Sequence, residues 1–151
     1  ADSKQVVKFE SVKEVVSEIR YIKSVLNIHS GLNLYHNDVQ LLEEQSDLIS
    51  NLARLESVTS VLDGQGLNLT SVSFKCWLDI DHQSAHRYAK ELQSQIDSQE
   101  KIITQLNSRL SNDSYVKNAP KDIVRQTHDQ LQKATEQLEK LREDHKRFSS
   151  L

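Results

Sequence analysis

At 151 residues the chain is one domain, or one compact lobe with an appendage, and is too short for a large multi-domain enzyme. It holds three Gly and one Pro, where average usage gives roughly 18 breakers, which excludes a collagen-like chain, a turn-rich β-sandwich and a low-complexity linker. A net charge of −3, with 36% apolar and 27% charged residues, excludes a generally basic nucleic-acid binder and describes a surface-rich molecule with a modest core. No stretch approaches the ~18 consecutive apolar residues of a membrane span, so no membrane partner is expected. The N-terminal run lacks the basic-then-apolar pattern of a secretory signal. The single cysteine, Cys76, excludes an internal disulfide and a multi-Cys zinc site, and fits a reducing intracellular compartment. The sequons at Asn68 and Asn112 then read as chance matches.

In chain order, Val12, Val15, Val16, Ile19, Ile22, Val25 and Leu26 recur at helical spacing and predict an amphipathic helix from Phe9 to about Leu26. Ser11 with Glu14 has the spacing of a capping box for its start. Leu32–Tyr35 alternates and predicts a short strand. A second helix is expected from Asp38, as its N-cap, through Leu55, and a strand over Val58–Leu62. Asp63-Gly64-Gln65-Gly66 is a turn. Along the run that follows, Val72, Phe74, Cys76, Leu78 and Ile80 are expected to face a core and Ser71, Ser73, Lys75, Trp77 and Asp79 a surface. Trp77 is out of place on a polar face unless a neighbouring element covers it.

From Asp81 the pattern changes. Ala85, Ala89, Leu92, Ile96, Gln99, Ile103, Leu106 and Leu110 alternate steps of four and three. Val124, Thr127, Leu131, Ala134, Leu138, Leu141, His145 and Phe148 do the same. Each is a heptad seam, and two seams of equal length joined by a short connection predict an antiparallel hairpin with its turn at about 111–120. Pro120 belongs in the first turn of the return helix, where its missing N–H is harmless. The fold class is therefore α+β: a small mixed lobe over 1–80, then a two-helix coiled-coil arm over 81–151, about 45 Å long at 1.5 Å per residue.

No catalytic constellation or cofactor site stands out. His82 and His86 share a helix face, but Asp79 and Asp81 diverge from Cys76, so no metal set converges. Cys76 reads as a small core residue, and Gly64-x-Gly66 lacks the third glycine and following helix of a dinucleotide loop. His145, on the seam, reads as a register residue. The charge is uneven: residues 81–151 hold twelve Lys/Arg against eleven Asp/Glu. Arg109, Lys117, Lys121 and Arg125 gather at the expected turn, opposed only by Asp113 and Asp122, and Tyr115 beside them has a ring able to stack on a base or sugar. Such a pattern is also that of an ordinary solvated face.

The run from Leu110 to Val124, LSNDSYVKNAPKDIV, resembles the hairpin turn of the C-terminal arm of valyl-tRNA synthetases, approximately L-S-N-x-x-[FY]-V-x-x-A-P-x-x-[VI]-V. Upstream, Phe9-Glu10-x-Val12-Lys13 with Ile19-Arg20-x-Ile22-Lys23 is similar to the helix that closes the family's anticodon-binding domain. Leu52-Ala53-Arg54-Leu55-Glu56-Ser57-Val58 resembles a later helix end, and Leu78-Asp79-Ile80-Asp81 the strand that leads into the arm.

The resemblance implies a non-catalytic tRNA-binding module whose arm grips the outer corner of tRNA through the backbone. Its candidate RNA-binding residues are Lys117, Lys121 and Arg125, with Arg109 added on charge and Tyr115 on its ring. It also implies a cytoplasmic or mitochondrial setting. The chain carries neither the HIGH nor the KMSKS motif, so any ligase activity would reside in a longer parent. Two readings remain: a synthetase module, or a repurposed descendant that meets a protein or ribonucleoprotein along the same arm. An unrelated coiled-coil adaptor would explain the heptads but not the turn.

Overall fold

The computed structural model describes residues 3–151 and divides into two compact units, one running to Ala85 and including Leu151, the other His86–Ser150.

In the first unit α1 spans Ser3–Val25, with Val12, Val15, Val16, Ile19 and Ile22 buried along one stripe. Ser11 is therefore inside the helix and caps nothing. The extra turns carry Val6 and Val7 exposed, so no buried periodicity announced them. Strand β1, Asn33–His36, is followed by α2, Gln40–Glu44, and α3, Ser46–Ala53. The single helix expected from Asp38 is thus two helices. The apolar pattern jumps from Leu42 to Leu48 across Glu43, Glu44, Gln45, Ser46 and Asp47, and the backbone turns at Gln45. Asp38 does not cap: it lies in the left-handed region at φ 51°, and Val39 holds the N-cap position without a side-chain bond.

Strands β2 (Ser57–Ser60), β3 (Leu67–Asn68) and β4 (Cys76–Leu78) complete a sheet of order β2-β1-β4-β3. β1 and β2 are parallel and joined through α2 and α3, as a parallel pair requires; β1–β4 and β4–β3 are antiparallel. β2 ends before Leu62, which is exposed, and β4 is shorter than the alternation from Val72 to Ile80 suggested. β3 was not anticipated. Only two residues pair, too few to leave a periodic signal.

The register explains the core. Leu34 pairs with Val58 on one side and Leu78 on the other, and Leu78 pairs with Leu67, placing an apolar row across one sheet face. Two residues along, His36 pairs with Cys76, and both are buried. Trp77 occupies the opposite face, where its ring lies hard against Gly64, so the turn glycine is the cover that its position called for. Elsewhere the Glu18 carboxylate accepts from Thr70 N and Ser71 N, tying the loop before β4 to α1. Asp79 accepts from the backbone and side-chain nitrogens of Asn33 at 2.7 and 2.8 Å. Burial, reinforced by Glu18, pushes the Cys76 thiol up to about 12, so it is a protonated core group at neutral pH.

His36 carries a pH dependence. Its Nδ1 accepts from Val39 N at 3.0 Å, while its buried Nε2 has no partner. Burial lowers its pKa from 6.5, against a weaker upward pull from Glu43 and Asp38. The unfolded chain therefore binds the extra proton first, so stability is complete above about pH 6.5 and falls as pH drops below it. We expect the urea midpoint to decline between pH 6.5 and 5 and this decline to vanish in His36→Asn, whose amide oxygen can still accept from Val39. A decline that persists in the variant assigns the effect to other groups.

The second unit contains most of α4 (His82–Ser111), α5 (Asp113–Asn118) and α6 (Lys121–Ser149). Asp81 accepts from Ser84 N at 2.5 Å and Ser84 Oγ at 2.8 Å and so opens α4. Every expected seam position of both long helices is buried or half-buried. Tyr88 meets Phe148 edge-on at 4.9 Å, Gln99 Nε2 donates to the Ala134 carbonyl at 3.0 Å, and Arg142 pairs with Glu100 at 2.9 Å. Tyr115 meets Thr127 at the other end. Only antiparallel helices give that order of partners. Tyr88 was not on the expected seam, yet it is buried by this ring contact. No helix of the described residues is long and apolar enough to cross a membrane.

Candidate nucleic-acid interface

The connection between α4 and α6 is more than a turn, because it contains the short helix α5. Asn112 starts that helix, its Oδ1 accepting from Ser114 N at 3.0 Å and Tyr115 N at 3.3 Å. Ala119 and Pro120 are extended, as a residue before proline prefers, and end it. Pro120 is the N-cap of α6 rather than a residue of its first turn, and its carbonyl accepts from Ile123 N and Val124 N.

Tyr115 braces this end of the hairpin. Its hydroxyl lies 2.8 Å from Thr127 Oγ1, and Thr127 in turn donates to the Ile123 carbonyl at 3.0 Å. Thr127 is 3% exposed, so the pair closes the seam with a satisfied polar contact instead of an apolar one. The Tyr115 ring is half-buried, leaving one part accessible beside the cations. Asn112 and Thr127 were not among the expected site residues. The cap spacing before a helical hexapeptide was the only signal available for Asn112, and none existed for Thr127.

The cations stand around this brace. Arg109 lies in the last turn of α4, Lys117 in the last turn of α5, Lys121 opens α6 and Arg125 follows one turn later; all four are exposed. Lys121 and Arg125, four apart, share one helix face. Among the described residues the ion pair here joins Arg125 to Asp122 at 3.9 Å, with side chains 74% and 86% exposed, a pairing too solvated to neutralise the guanidinium. From Lys101 to Arg125 there are five Lys/Arg and two Asp/Glu, whereas 126–151 has five of each and 81–100 has two against four. The positive excess is thus confined to the tip. Among the described residues no three His, Cys, Asp or Glu gather as a metal set, and Asp79 and Asp81 are already engaged with Asn33 and Ser84. What this arrangement can do chemically is attract anions with Lys and Arg on a rigid helical end.

Residues 81–149 match the family described as the valyl tRNA synthetase tRNA binding arm. Over a longer span the chain is 27% identical to the valine–tRNA ligase of Helicobacter hepaticus, covering 88% of this chain and 16% of the relative. It is 28% identical to that of Nitratidesulfovibrio vulgaris, over 94% and 18%, and 28% identical to that of Aquifex aeolicus, over 78% and 11%. The chain spans less than a fifth of the length of these relatives. The chain is thus similar to valine–tRNA ligases along most of its length, and over residues 81–149 it is similar to their tRNA-binding arm.

Proposed function

We propose that the chain is a tRNA-binding module without catalytic chemistry of its own, in which the arm grips the RNA backbone through Arg109, Lys117, Lys121 and Arg125. The observation that carries this reading is the coincidence of the arm's only positive excess with the family-like turn. Phosphate contacts position an RNA without reading its sequence, and exposed Lys and Arg on a rigid support suit that task. Residues 1–80 then serve as a lobe related to the end of an anticodon-binding region, and any valine activation resides in a longer parent.

The test is a filter-binding series with tRNA at increasing salt. A line of negative slope between log affinity and log salt is expected, with roughly one unit per phosphate contact. A flat line sinks the RNA reading. In that case the weak net charge of the arm favours the alternative, a module repurposed to hold a protein or ribonucleoprotein.

A further inference from the structure

We propose that the cleft formed where α1 and α3 end, lined by Arg20, Lys23 and Arg54, is an anion site that accepts a phosphate group. The cleft has a volume of about 450 Å³ and no Asp or Glu in its lining. Lys23 is 8% exposed, and its ammonium donates to the Arg54 carbonyl at 2.8 Å. A buried ammonium has three donors and strongly prefers a charged acceptor, yet this one meets a backbone oxygen and the charge of Arg54, with Arg20 lining the same cleft. Among the described residues, none of the three cations makes an ion pair. Burial and the charge of Arg54 lower the Lys23 pKa, as expected of a cation awaiting a counter-charge.

A simpler role for these residues is to neutralise the helix ends they sit on. Magnitudes decide against that as the whole account. Each helix terminus carries about −0.5 charge, so two of them offset roughly one of the three positive charges. Those ends are also already satisfied: Asn27 N and Ile28 N donate to the Ser24 and Lys23 carbonyls, and the Arg54 and Leu55 N–H groups both go to the Ser50 carbonyl. The remaining two positive charges, on Arg20 and Arg54, are exposed to water and stay available to an anion in the cleft. His29 is held over the same cleft by Asn27, its Nε2 3.0 Å from Asn27 Oδ1. Two guanidinium groups lining one cleft with a buried ammonium are suited to the oxygens of a phosphate, whether free or part of an RNA backbone. This site does not rest on the RNA reading of the arm.

The experiment titrates inorganic phosphate into the 151-residue chain at constant ionic strength and follows backbone amides by NMR. Saturable shifts confined to Ser24, Asn27, His29 and Arg54 are expected. Arg20→Gln and Arg54→Gly should each weaken phosphate binding roughly tenfold, the loss of one charge-assisted hydrogen bond. Arg54→Gly cannot fail through backbone strain, because Arg54 already lies at φ 53°, where glycine is at ease. Scattered, non-saturating shifts, or unchanged affinity in both variants, overturn the proposal. Filter binding then separates the sources. If an RNA phosphate fills the cleft, Arg20→Gln lowers the tRNA salt slope by about one unit. If free phosphate fills it, the same variant loses phosphate binding while the tRNA slope is unchanged.

Discussion

Replacing Lys121 and Arg125 together by glutamate is expected to weaken tRNA binding more than tenfold and to flatten the log–log salt slope by about two units. Both residues are exposed, share one face of α6 and lie outside the seam. The substitution should therefore leave helix content and melting temperature unchanged. Glu at the first helical position even suits the dipole there, so any lost binding is an electrostatic loss and not a folding loss. Reversal is preferable to truncation because it adds repulsion from the phosphates to the missing attraction. Arg142→Glu provides the contrast. It breaks the exposed pair with Glu100 in the charge-balanced part of the hairpin, so its effect on the tRNA slope should be well below that of the tip. Equal slopes for wild type and the Lys121/Arg125 variant would exclude the tip as the RNA-binding surface.

Gly66→Ala is expected to destabilise the first unit by on the order of 3 kcal/mol or more. Two costs combine at this position. Gly66 has φ 123°, a conformation from which a Cβ is excluded, and an added methyl would collide with the Leu78 carbonyl oxygen of β4. The neighbouring backbone cannot retreat, because Leu78 is fully buried and paired to both Leu34 and Leu67. Thermal unfolding followed by Trp77 fluorescence checks this, since Trp77 packs against Gly64 in the same turn. A melting temperature within a degree or two of wild type would contradict it.

The two halves differed in how far they could be read beforehand. The arm was legible because burial in a two-helix hairpin depends on one repeating pattern. Thus Leu92, Ile96, Leu106, Leu138 and Leu141, picked by spacing, are all buried. The lobe was less so. Its strands are two to four residues long, and their edges are decided by pairing with partners far away, as Leu34 with Val58 and Leu78. Asp38 and Ser11 looked like caps, since composition near a helix suggests a cap wherever Ser or Asp appears. Asp38 is instead a left-handed bend residue whose N–H meets Ser60 Oγ, and Ser11 lies within a helix that begins eight residues earlier. Of the candidate site, the charges were visible at Arg109, Lys117, Lys121 and Arg125, but the brace beneath them was not. Nothing local to Tyr115 indicates that Thr127, twelve residues on, takes up its hydroxyl.

By itself, the sequence determined the α+β class, the paired heptad seams, the place of the connection and the gathering of cations beside Pro120. Each of these follows from residue type and spacing within one segment. Tertiary structure alone decided the strand order, the α2–α3 break, the helical form of the connection and the burial of Lys23 beside Arg54. Lys23 occupies a position four residues after Ile19, where a charge interrupts an apolar stripe that resumes at Val25 and Leu26. Only when α3 brings the Arg54 carbonyl to its ammonium, across 31 residues of sequence, does that interruption become a buried and uncompensated cation.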